Sequence, residues 1–343
     1  MKAGVVYGPR NIKVEEVDMP SPGPGEVLLE VKAAGICGSD LHYHRSDAAS
    51  SPNGRIMGGH ELSGKIVAVG EDVKRRKVGE RVGVEPLLGC GECQFCSMGY
   101  YHLCSRLAHP GGGFREYTAL LEEKVFPLPD NVSYEEAATL DCLAVGVHAI
   151  HRGGVTVTDA VAVIGDGAIG LSSLEVAKAA GAKRTALIGH HQVNLDIAEK
   201  VGADIAVNSA ASDEVEAIMQ LTGGAGCEVV IETVGGMTNT MESAVKIAKP
   251  GGTIVVIGMF RKPVELNFGR LMRNEIDIIF SWSYSTWDGI TEFDIALDML
   301  ARGELDAKSL ITHRFPLDRI SDAFQAALNK GDSGALKVLI TYE

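Results

Sequence analysis

Residues 161–181, VAVIGDGAIGLSSLEVAKAAG, decide the fold. The first four, 161–164, are an unbroken apolar run of the kind that forms a strand buried on both faces. Gly165, Gly167 and Gly170 follow with the spacing G-x-G-x-x-G. Leu171, Leu174, Val176, Ala177 and Ala180 then recur at helical intervals, and Gly181 stops the run. The stretch therefore reads as strand, tight glycine turn, helix. In such a unit the first glycine permits the turn, the second lets backbone approach a pyrophosphate, and the third lets helix pack on strand. The helix N-terminus offers its free N–H groups to the phosphates. Gly165, Gly167, Ala168, Ile169 and Gly170 are the candidate dinucleotide contacts. Among 41 glycines the spacing alone is weak, and the bland alternative is a buried βα turn; the strand before it and the helix after it carry the reading.

Working outward, the alternation continues. Strands are expected at 185–188, 205–207, 227–231, 253–257 and 275–280, with a helix at 194–202 and others between. Helices follow at 290–302 and 321–330, then a last strand at 337–342. Residues 1 to about 130 read differently. Short apolar runs at 4–7, 27–31 and 66–69 are separated by Gly and Pro, as in PSPGPGE at 20–26. The fold class is α/β, a doubly wound parallel sheet at 151–285 joined to a β-rich domain. That second domain is expected at 1–150 with 286–343, the tail packing back on the first part of the chain.

The chain has 343 residues, long enough for two domains, and its hydrophobic content of 45% supports sizeable cores. A net charge of −13 argues against nucleic acid or an anionic membrane as partner. No apolar run approaches the roughly 20 residues of a membrane span. MKAGVVYGPR at the start carries no apolar signal region, so a cytoplasmic location with reduced thiols is expected. Seven cysteines in that setting read as metal ligands or core residues.

Four of them, Cys90, Cys93, Cys96 and Cys104, form C-x2-C-x2-C-x7-C in the lobe 89–105. Four soft thiolates so close suit tetrahedral zinc with no open position, hence a structural site. An iron–sulfur site needs a different last spacing. A nucleic-acid-binding zinc ribbon does not fit the acidic balance. Upstream lie GICGSDLHYH, with Cys37, Ser39, Asp40 and His42, and GGHELSG, with His60 and Glu61. Taken singly, Cys37 reads equally as a core thiol, His60 as a loop histidine and Asp40 as a turn-capping carboxylate.

The run Gly59-His60-Glu61-x-x-Gly64-x5-Gly70-x-x-Val73 resembles the signature of the zinc-dependent medium-chain alcohol dehydrogenases. The resemblance covers essentially the whole chain, through the four-cysteine lobe, GGGFREY at 111–117, the fingerprint and KPGGTIVVIG at 249–258. It is nearest to the polyol branch of sorbitol, galactitol-phosphate and threonine dehydrogenases. It implies a Rossmann domain and a GroES-like catalytic domain, two zinc ions per chain, a nicotinamide cofactor, a small-molecule substrate and a homotetramer or homodimer. Cys37 and His60 match the first two catalytic zinc ligands, and Glu61 matches a glutamate that is a direct ligand in the polyol branch. The remaining ligand position, five residues before Gly146, falls on Asp141, a residue one methylene shorter than the family's Glu. Cys142 adjoins it, although a buried thiol is the favoured reading there. Ser39 matches the family's hydroxyl relay, and His42 its exit histidine, a group suited to moving protons near neutrality.

A strict NAD enzyme usually carries an acid about twenty residues beyond the fingerprint. Here the strand end reads TALIGHHQVN, and the acid's place falls on His190, followed by His191. Losing the carboxylate removes repulsion against a 2′-phosphate, and two histidines can donate to one, so the balance tips to NADP over NAD. The alternative is that both histidines are plain loop residues. After the strand in EIDIIFSWSYSTW, Trp282, Ser283 and Tyr284 are candidate substrate contacts or, equally, an interface or core strand. A polyol or sugar acid is the expected substrate, a simple secondary alcohol, diol or amino alcohol the runner-up. A zinc-free reductase of the same fold and a binding protein without turnover are the rival classes.

Overall fold

The computed structural model describes residues 1–51 and 53–343. It divides into two compact units, one of Met1–Asp141, Thr286–Ala301 and Ala307–Glu343, the other of Cys142–Ser285 and Arg302–Asp306.

The second unit is a six-stranded sheet. Its strands are β1 (Ala160–Ile164), β2 (Arg184–Gly189), β3 (Ile205–Asn208), β4 (Cys227–Glu232), β5 (Ala248–Val256) and β6 (Asp277–Phe280), in the order β3-β2-β1-β4-β5-β6. All neighbours are parallel. β1 is buried along its whole length because helices cover both faces of a doubly wound sheet. Ala162, Ile164, Ile188, Val230 and Ile254 form the core on one face. The order reverses between β1 and β4, and in such sheets ligands bind beyond the strand C-termini at this switch point. The fingerprint turn leaves β1 at that end.

The first unit is built on a seven-stranded sheet. Glu26–Gly35 runs through its middle, antiparallel to Glu61–Val69 on one side and to Lys337–Thr341 on the other. Val27, Leu29, Val31, Leu62, Ile66 and Phe114 fill its core. The helix Ile320–Leu328 lays Ile320, Ala323, Phe324 and Ala327 onto it, an i, i+3, i+4, i+7 stripe. The return of the tail to this unit puts Lys337 beside residues almost three hundred positions earlier. Two sequence readings shift. The helix expected from 290 starts at Glu292, after a small hairpin of Thr286–Trp287 with Ile290–Thr291. The strand expected from 275 starts at Asp277, because Glu275 turns the chain with φ +50°.

Candidate active site

Antiparallel pairing assembles the first site. Gly35, the last residue of its strand, is opposite Glu61, the first of the next. Cys37 just past one strand end and His60 just before the other therefore become neighbours although 23 positions separate them. Ligand atoms of Cys37, His60 and Glu61 lie within 4.8 Å of one another. Cys37 caps the helix Gly38–Arg45, and Asp40 completes a capping box, its carboxylate accepting the Cys37 N–H at 2.9 Å. The other Asp40 oxygen lies 3.9 Å from His60 Nδ1. Asp40 thus ties the cap to the imidazole, beyond the turn support read from the sequence.

The site is rich in negative charge. Burial pushes the Asp40 carboxyl up to about 6 against the opposing pull of His60 and the Cys37 amide. For His60 burial is the largest influence and acts downward, but Cys37, Asp141 and Asp40 outweigh it and hold the imidazolium up to about 11. Thiolate, imidazole and carboxylate converging in one place are a zinc donor set. Asp141, half-buried at the start of the helix Leu140–Gly153, acts on His60 through its charge and is outside the close group of three. Cys142 is buried, 2% exposed. Ser39 and His42 are exposed on the helix that Cys37 caps, with Arg45 Nη2 3.4 Å from His42 Nδ1.

Lys337 is the residue that sequence reasoning missed. Its ammonium donates to both Glu61 oxygens, at 2.8 and 2.6 Å, with the two side chains 4% and 0% exposed. The pair spans Gly35, whose strand runs between those bearing Glu61 and Lys337. A Cβ at 35 would run into Glu61 Oε2. Glycine is therefore required there by space, and Glu61 is anchored before any ligand arrives.

The four-cysteine lobe closes locally. Sγ atoms of Cys90, Cys93, Cys96 and Cys104 lie within 4.8 Å of one another, and none of the seven cysteines is in a disulfide. Cys104 Sγ accepts N–H bonds from Cys90 and Arg106 at 3.4 and 3.3 Å. The Glu92 amide, more than any other group, holds Cys90 down to about 6, whereas burial pushes Cys96 up to about 11. Four cysteine sulfurs converging this closely are the donor set of a thiolate-bound structural zinc. Glu85, fully buried, accepts from Tyr101 of the lobe at 2.5 Å and from Lys124 at 3.0 Å.

In the second unit the fingerprint adopts the expected turn. Gly165 has φ +117°, the space a side chain would take at Gly167 is open, and a Cβ at Gly170 would strike the Gly165 carbonyl. Gly167 caps the helix α1 (Ala168–Ala179), so the N–H groups of Ala168 and Ile169 lie in its first turn, with none of their own helix's carbonyls to bond. At the end of β2, position 190 carries no acid, as read from the sequence, but a carboxylate from the fingerprint turn lies beside it. Asp166, between the first two fingerprint glycines, accepts from the backbone N–H of His190 at 2.8 Å and of His191 at 2.6 Å. The His191 ring contacts the same carboxylate at 3.0 Å. His190 instead shares a hydrogen bond with Ser209 Oγ at 2.9 Å. Burial, the largest influence on Asp166, acts upward, and the His191 and His190 hydrogen bonds outweigh it, holding the carboxyl below its usual range. The signal in sequence was an acid inside the fingerprint itself. Past β6, Tyr284 is fully buried and presents no surface to a substrate, whereas Trp282 is 45% exposed and Ser283 has φ +58°.

Comparison with known proteins agrees with this architecture. Residues 23–130 match the alcohol dehydrogenase GroES-like domain, and residues 168–302 the zinc-binding dehydrogenase domain. Sorbitol dehydrogenase of Bacillus subtilis (strain 168) is 36% identical over 99% of this chain and 97% of its own. The solved galactitol-1-phosphate dehydrogenase of Escherichia coli superposes with a TM-score of 0.90 at 30% identity, covering 100% of both chains. A putative zinc-binding dehydrogenase of Sinorhizobium meliloti 1021, bound to NADP, superposes at 0.89 with 30% identity and 99% of each chain covered. With its GroES-like and Rossmann units, its cysteine–histidine–glutamate cluster and its four-cysteine lobe, the chain belongs to the zinc-dependent medium-chain alcohol dehydrogenase family and is an oxidoreductase.

Proposed function

We propose that the protein interconverts a secondary hydroxyl of a polyol, sugar alcohol or sugar acid with the matching ketone, using two zinc ions per chain and a nicotinamide dinucleotide. The Cys37–His60–Glu61 cluster is the observation that carries this reading. The sorbitol and galactitol-phosphate activities of its relatives support the polyol class. When bound, the zinc polarises the substrate oxygen and the nicotinamide takes or returns the hydride.

The chain's own residues do the rest. Cys37 and His60 would hold the catalytic metal, and Asp40, 3.9 Å from His60 Nδ1, would steer the ring by its charge. Glu61 would complete the ligand set while staying paired with Lys337. Asp141, short of direct reach, acts from behind the ligands on a substrate hydroxyl. Ser39 takes the hydroxyl proton and His42, one helical turn on, delivers it to water. Cys90, Cys93, Cys96 and Cys104 hold the structural ion. Gly165, Gly167, Ala168, Ile169 and Gly170 receive the pyrophosphate. The sequence preference for NADP rested on an uncharged strand end, and the Asp166 carboxylate there favours NAD instead.

Self-association through the cofactor unit is part of the reading. β6 is the outer edge of its sheet, and Phe268, Met272 and Phe280 near it are each more than 70% exposed. Free thiols suit a reducing, cytoplasmic compartment. Among the described residues no helix is long and apolar enough to cross a membrane.

Metal analysis together with a screen of sorbitol, galactitol, their phosphates and idonate against NAD and NADP, followed by absorbance, tests the proposal. Two zinc ions and turnover of a polyol are expected. Turnover confined to simple alcohols or threonine would replace the substrate class, and protein without zinc that still turns over would overturn the mechanism.

A further inference from the structure

We propose that Asp166 sets the nucleotide preference of this chain, admitting a ribose with a free 2′-hydroxyl and excluding a 2′-phosphate. The inference rests on the dinucleotide reading above and adds a residue and a direction to it.

Three observations carry it. First, the C-terminal end of β2 is where this fold reads the adenosine ribose, and a carboxylate there accepts from the ribose hydroxyls. Position 190 supplies none, but Asp166 brings one to the same place from the neighbouring turn. Second, that carboxylate has taken the donors a phosphate would need. The His190 and His191 amides and the His191 ring all point at it. Successive backbone N–H groups with a cationic or donor side chain form an anion-binding concavity, and here the anion is part of the chain. Third, the fit is built in. Asp166 is 8% exposed, its backbone carbonyl accepts from Asn194 Nδ2 at 2.9 Å, and a Cβ at Gly189 would collide with the Asp166 side chain. A mere solvated acid would need neither the glycine nor the asparagine. A dianionic 2′-phosphate arriving here meets like charge and spent donors. A ribose hydroxyl meets Asp166 Oδ1, which lies 3.2 Å from the His191 ring.

Calorimetric titration of the purified protein with 5′-AMP and with 2′,5′-ADP reads the preference without turnover, zinc or substrate. The wild-type chain is expected to bind 5′-AMP about tenfold or more tightly than 2′,5′-ADP, a difference of about 1.4 kcal/mol. Asp166→Asn removes the charge while keeping an acceptor, Asp166→Ser also frees the donors, and both should shift that ratio toward 2′,5′-ADP, by about tenfold or more for the serine variant. A wild-type preference for 2′,5′-ADP overturns the inference, and this measurement needs no variant to fold. So does an unchanged ratio in variants that still bind 5′-AMP, which would make Asp166 a turn clamp only. If neither nucleotide binds, the dinucleotide reading itself fails and the inference with it.

Discussion

The two metal-type clusters of the first unit are made in opposite ways. Cys90, Cys93, Cys96 and Cys104 come from one loop of fifteen residues, carry one kind of donor, and are closed off by it. Cys37, His60 and Glu61 come from two strand ends, mix three kinds of donor, and depend on a lysine from the far end of the chain. A site made by one loop shapes that loop. A site made by sheet register has its side chains placed by the sheet, and Glu61 and Lys337 there are buried and bonded to each other. The first arrangement suits structure, the second suits turnover, where ligands must stay placed while substrate exchanges.

The sharpest way to break this contrast is to remove one ligand from each cluster. Cys96→Ser should cost the lobe its ion, and structural zinc binding at such sites is worth about 10 kcal/mol or more. Loss of zinc, a lower melting temperature and proteolysis within the lobe are expected. His60→Ala should instead give a folded protein that retains one zinc and nucleotide binding but turns over at least about 10³-fold more slowly, since polarisation of the substrate oxygen supplies several kcal/mol. Equal melting temperatures for the two variants would remove the distinction between the clusters.

Lys337→Met sharpens it. The substitution leaves the Glu61 carboxylate buried without a partner, which costs about 3–5 kcal/mol. Denaturant unfolding should show that loss in zinc-free protein and a smaller loss with zinc present, because the metal then takes over the charge. The same loss with and without zinc would mean that Glu61 does not face the metal. Asp141→Asn should have the smallest effect. A partner behind a metal's ligands is worth about 10- to 100-fold in activity or affinity, so turnover should fall within that range while zinc content stays at two. Loss of zinc on this substitution would make Asp141 a direct ligand.

Much of the fold was readable in order along the chain. The unbroken apolar run of β1, the glycines at 165, 167 and 170, and the alternation after them specify a doubly wound sheet from local pattern alone. The four-cysteine lobe was readable for the same reason, since its ligands are neighbours in sequence. The start of β6 at Asp277 and the hairpin from Thr286 were not, because two-residue strands and a left-handed Glu275 leave no period to read. For Tyr284 the sequence left substrate contact and core strand equally open, because a tyrosine after a strand end suits either, and burial decides for the core.

The site divides along the same line. Sequence by itself determined which residue types could hold metal and pyrophosphate, because donor chemistry and turn geometry are properties of the residues and their spacing. Tertiary structure decided which charges meet. Glu61 and Lys337 are 276 positions apart and meet over Gly35, and Asp166 reaches His190 and His191 across 24 and 25 positions. Both contacts are set by which strands lie side by side, and no local spacing encodes that choice. The pairing of charge with charge comes into being only when the sheets form.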